Sequence, residues 1–72
     1  MSTLQHIQDA AGRGMLAVWT DGAGAHRLEA GRSLSGYSVF RYCGMRLTAH
    51  HHGMTLREAA GCIDRWLAEL AD

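Results

Sequence analysis

The sequence has no lysine. All seven of its basic residues are arginines, balanced by seven acidic ones, so the formal net charge is zero. That balance argues against generic binding to nucleic acid or an anionic membrane through a whole-molecule field. Two cysteines, Cys43 and Cys62, are too few for a disulfide scaffold, and there is no Cys-x-x-Cys. The longest apolar run, Met15 to Trp19, is far too short to span a bilayer. No charged-then-apolar leader opens the chain, and no low-complexity linker or internal repeat divides it. Seventy-two residues starting at Met1 are therefore expected to form one stand-alone, cytoplasmic, reduced domain.

Catalytic patterns are missing as well. No serine is flanked by glycine as in a nucleophile elbow, and no paired carboxylates suggest a cleft. Gly12-x-Gly14 and Gly22-x-Gly24 lack the remaining glycines of a dinucleotide loop and the lysine of a phosphate loop, so they read as turns. Cys62 and Cys43 both read as small core residues. The expectation is a protein that is not an enzyme and needs no cofactor.

What is present begins with the stretch from Thr55 to Ala71. Leu56, Ala59, Ala60, Ile63, Trp66, Leu67 and Leu70 share one side of a 3.6-residue period, with Arg57, Glu58, Asp64, Arg65 and Glu69 opposite. Thr55 and Glu58 have the spacing of a capping box. This amphipathic helix needs an opposing surface, supplied by the rest of the chain or by a second copy, so a homodimer is one expectation. Ser2 to Ala11 reads as a shorter helix, with Leu4, Ile7 and Ala11 on one face and His6 off it, ended by Gly12-Arg13-Gly14.

Between the helices lie strand candidates. Met15 to Thr20 is apolar on both faces, Asp21 to Gly24 is a turn, and Ala25 to Glu29 is a return strand. Ala30 to Gly36 reads as a polar loop. In Tyr37 to Cys43, Ser38, Phe40 and Tyr42 point one way and Tyr37, Val39 and Arg41 the other. Gly44 marks a turn or bulge, and Met45 to His50 alternates again. The fold class is thus α+β: an antiparallel sheet of three or four strands, a short N-terminal helix and a long C-terminal one. Two layers leave one sheet face open. That face is expected to carry Tyr37 and Val39, with Trp19 or Met15.

Charge is uneven along the chain. From Ala11 to Arg57 there is an excess of four positive charges, and from Glu58 to Asp72 a deficit of three. Arginine suits planar contacts to carboxylate or phosphate, and aromatics with arginine make binding hot spots. The leading expectation is a non-enzymatic interaction module, an adaptor or inhibitor of the kind phages and mobile elements carry. It would occupy a larger protein or nucleoprotein through Tyr37, Arg41, Arg46 and Arg27.

Two other readings remain open. His50-His51-His52 puts His50 and His52 on one strand face and His51 on the other, half of a metal site that His26 or Cys43 would have to complete. The layout is also similar to that of double-stranded RNA-binding domains. Gly24-Ala25-His26 stands where that family has a histidine-bearing loop, and Gly53-Met54-Thr55-Leu56-Arg57-Glu58-Ala59 where it has a basic helix start. That resemblance implies nucleic-acid binding, but only Arg57 stands where the family has several lysines.

Overall fold

In a computed structural model describing residues 2–71, the chain runs α1 (Thr3–Gly12), β1 (Ala17–Thr20), β2 (His26–Ser33), β3 (Gly36–Cys43), β4 (Arg46–Met54) and α2 (Leu56–Leu70). The strands form one antiparallel meander in the order β1-β2-β3-β4. Both helices lie on the same face of it, giving a small α+β domain.

Local chemistry sets the helix ends. The Ser2 hydroxyl accepts from the Gln5 amide at 3.1 Å, starting α1. Gly14, at φ 69°, ends it: its amide donates to Ala11 and the Met15 amide reaches back to Ala10. This is the paired bonding of a Schellman ending, in which a left-handed glycine frees the chain to turn. The capping box of α2 is complete. The Glu58 amide donates to the Thr55 hydroxyl at 3.1 Å, and the Glu58 carboxylate accepts from the Thr55 amide at 2.9 Å.

The core gathers Ile7 and Ala10 of α1, Ala59, Ala60, Ile63 and Trp66 of α2, and Ala17, Leu28, Ala30 and Val39 of the sheet. The surface that α2 needs is therefore provided by α1 and the strands of the same chain. Thr3 donates to Asp64, tying the two helices together on the outside.

Three segments differ from their sequence-based reading. Ala30 to Ser33 belongs to β2 and is not loop. Its weak strand propensity is overridden because Ala30 is fully buried beneath the helices and pairs with both Ala17 and Val39. The hairpin is only Leu34-Ser35, closed by Gly36 at φ 125°. β4 runs on to Met54, so the three histidines are strand residues. Cys43 is exposed at the end of β3, whereas Cys62 is half-buried.

β4 joins β3 with two register shifts, between Arg41 and Tyr42 and between Tyr37 and Val39. The first leaves Thr48 as the extra residue, its hydroxyl donating to the Arg41 carbonyl at 3.1 Å. The second falls beside Gly53, at φ 68°. Such bulges re-aim the side chains beyond them.

Candidate interaction surface

Pairing partners on one rung of an antiparallel sheet point to the same face. Ala17, Trp19, Leu28, Ala30, Tyr37, Val39 and Ala49 all pack into the core beneath the helices. Their alternates make the open face, in three rungs. The middle rung is Val18, Glu29, Phe40 and His50. On one side of it lie Thr20, Arg27, Tyr42 and Leu47. On the other lie Gly31 and Ser38, with Leu16 and His52 completing the group around a shallow cleft. The end of the Leu16 side chain lies across Gly31, where a Cβ would make it shift.

The alternation expected in Tyr37–Cys43 is correct, but the face expected to be open is the covered one. Val39 is completely buried, and Tyr37 and Trp19 pack against the core. Arg41 is on the helix side, where it pairs with Glu69 at 2.7 Å and lies 5.8 Å from the Trp66 ring. Arg46 is exposed at the β3–β4 hairpin, opposite Cys43. Met15 is exposed ahead of β1. Of the four proposed contact residues only Arg27 joins the open face, stacked 4.6 Å over Tyr42 and held by Glu29 at 3.1 Å.

The missed residues are Leu16, Val18, Phe40, Tyr42 and Leu47. Phe40 and Tyr42 are half-buried by their neighbours; Leu16, Val18 and Leu47 are exposed. The signal that could have found them is side-chain size. The opposite face offers Ala17, Ala30 and Ala49, small enough for helices carrying Ala10, Ala59 and Ala60 to come close.

The histidines divide as period two requires. His51 stacks on Trp66 at 6.0 Å on the helix side, while His50 and His52 meet on the open face. His6, expected off the packed face of α1, sits 4.8 Å from the Trp19 ring. His26 and Cys43 pair across β2 and β3 at the far end of the ladder from His52. The four metal candidates are therefore not brought together. Among the described residues no three His, Cys, Asp or Glu side chains form a set that could hold a metal ion.

Ser33, Ser38, His52 and His50 form a chain of hydrogen bonds with a fixed direction. The Gly36 carbonyl can only accept, and it takes the Ser33 hydroxyl proton at 3.0 Å. Ser33 Oγ must then accept from Ser38, 3.3 Å away. Ser38 has spent its one proton, so its Oγ accepts from His52 Nδ1–H at 3.0 Å. In the neutral ring His52 Nε2 is left with a lone pair, which accepts from His50 Nδ1–H at 2.9 Å. The buried Ser38 hydroxyl thus points its proton away from the imidazole, opposite to what a serine nucleophile and its base require.

Burial pushes the Cys62 thiol up, Arg65 opposes that and Glu69 adds to it, so less thiolate is present than in an ordinary cysteine. Among the described residues no helix is long and apolar enough to cross a membrane.

Compared with models of protein families, with curated proteins and with solved structures, the chain matches none.

Proposed function

We propose that this chain is a non-enzymatic protein-interaction module that occupies a larger protein through the open face of its sheet. One observation carries the reading. Both helices pack on one side of the sheet, and the other side presents Leu16, Val18, Phe40, Tyr42 and Leu47 around a central Arg27–Glu29 ion pair on β2, with His50 and His52 on the outer strand β4. Apolar and aromatic side chains set around an arginine are the residue types that make a protein contact. Tyr42 and Arg27 are the residue types that anchor one, and their stacking holds both ready before binding. Occupying a partner's surface in this way is how an adaptor or an inhibitor works.

The arginines favour a protein partner over nucleic acid. Arg27 is paired with Glu29 and Arg41 with Glu69. Arg13, Arg32, Arg46, Arg57 and Arg65 are spread over α1's end, the end of β2 beside the start of α2, the β3–β4 hairpin and the outer side of α2. No continuous basic track follows from this placement, and such a track is what phosphate binding uses.

The test uses Val18→Glu and Leu47→Glu, both at exposed positions. Wild type is used to capture partners from its host, and the purified partner is then titrated calorimetrically against wild type and both variants. The expected result is a loss of about 2 kcal/mol or more in binding for each variant, with wild-type binding little changed by salt. Equal affinity in all three proteins would overturn the surface assignment. Binding of duplex RNA or DNA that collapses between low and moderate salt would favour the nucleic-acid reading instead. A wild-type dimer that both variants dissolve in light scattering would make the occupant a second copy.

A further inference from the structure

We propose that His50 and His52 form a two-imidazole chelating site for a borderline divalent transition metal such as Zn²⁺, Ni²⁺ or Cu²⁺. The two residues stand at i and i+2 of β4, so period two puts both rings on the open face. Their ring nitrogens, His50 Nδ1 and His52 Nε2, are directed at each other 2.9 Å apart. Two imidazoles bound to one tetrahedral metal at about 2.0–2.1 Å place their nitrogens roughly 3.3–3.4 Å apart. Forming the chelate takes an opening of a few tenths of an ångström and a tilt of the exposed His50 ring, so that both nitrogens aim at one point beside the line that joins them.

The hydrogen-bond chain behind the pair prepares one of the two ligands. Ser38 accepts from His52 Nδ1–H, which fixes the tautomer that presents the Nε2 lone pair toward His50 and limits rotation of the ring. Ser38 is itself buried and held in place by Ser33, which is anchored on the Gly36 carbonyl. Phe40, packed edge-on against His52 at 5.7 Å, restrains the ring from the side. His50 needs only a change of tautomer: its single ring proton moves from Nδ1 to the solvent-facing Nε2, and Nδ1 takes the metal. No proton is gained or lost overall. With no third side chain in reach among the described residues, the remaining positions on the metal go to water or to a ligand brought by another molecule.

Imidazole nitrogens select zinc, copper and nickel over magnesium and calcium, which prefer oxygen. The site does not use the patch of Leu16, Val18 and Leu47, so it stands or falls separately from the protein-docking reading.

The test is competition for Zn²⁺ between the folded protein and a chromophoric chelator, with wild type, His50→Ala, His52→Ala, His51→Ala and Ser38→Ala, folding being checked by circular dichroism. His50→Ala and His52→Ala should each weaken Zn²⁺ binding at least about tenfold, and Ser38→Ala by about tenfold through loss of the second-shell bond. His51→Ala should match wild type. Long-range nitrogen–proton spectra of wild type with Zn²⁺ should show His52 bound through Nε2 and His50 through Nδ1. Unchanged affinity in His50→Ala and His52→Ala, an equal loss in His51→Ala, or no shift at those two nitrogens would each overturn the site.

Discussion

On its helix-covered face the sheet presents Ala17, Ala30 and Ala49 beside Leu28 and Val39; on its open face it presents Leu16, Val18, Phe40, Tyr42 and Leu47. Both faces are apolar enough to bury. They differ in relief. Alanines on the strands, matched by Ala10, Ala59 and Ala60 on the helices, let the two layers interlock at close range. The open face has no such alanines, and its side chains would hold a helix off. In a two-layer fold the covered face is thus chosen by shape as much as by hydrophobicity, and the face left over still has apolar surface to offer a partner.

The widest gap between the two faces should show when one leucine is truncated on each. Leu28 is completely buried, so Leu28→Ala should cost about 2–5 kcal/mol by urea unfolding. Leu47 is exposed, and Leu47→Ala should cost about 0.5 kcal/mol. Similar losses at both positions would mean that the open face is covered in solution. A sharper probe of the open face is Gly31→Ala. The new methyl must displace the end of the exposed Leu16 side chain, with an expected cost of no more than about 0.5 kcal/mol that disappears in a Leu16→Ala background. The same cost in both backgrounds would place the strain in the strand and not in Leu16. A comparably small effect concerns the ion pairs, one on each face. Double-mutant cycles on Arg41–Glu69 and Arg27–Glu29 should each give about 0.5 kcal/mol, and both should shrink in high salt. A salt-insensitive Arg41–Glu69 coupling would mean that the pair is shielded from solvent.

Much of this architecture was legible in the residues. The period of α2 and its Thr55–Glu58 box gave the long helix, and alternation in β3 separated Tyr37, Val39 and Arg41 from Ser38, Phe40 and Tyr42. Period two also put His50 and His52 on one face. Alternation, though, is symmetric: it says which side chains go together and not which group is covered. Weighing Tyr37 and Arg41 as binding residues therefore selected the wrong side. Ala30 to Ser33 was unreadable as strand because its stability comes from helices and neighbours far away in sequence. The contact of His52 with Ser38 could not be foreseen either. It depends on the first register shift, at Thr48, which brings Ser38 opposite His52 where the hairpin register would have brought His51, and no local pattern around Thr48 announces it.

The bulges in β4 have a consequence at the border of the molecule. β1 and β4 are the outer strands, each with one row of backbone amides and carbonyls turned away from the sheet. β1 has only four residues, and β4 is broken in rhythm twice, near Thr48 and near Gly53. A foreign strand laid along β4 would find donors and acceptors in step for only a few residues before the spacing slipped. The irregularities that arrange the open face also make β4 a poor template for edge-to-edge pairing through the backbone.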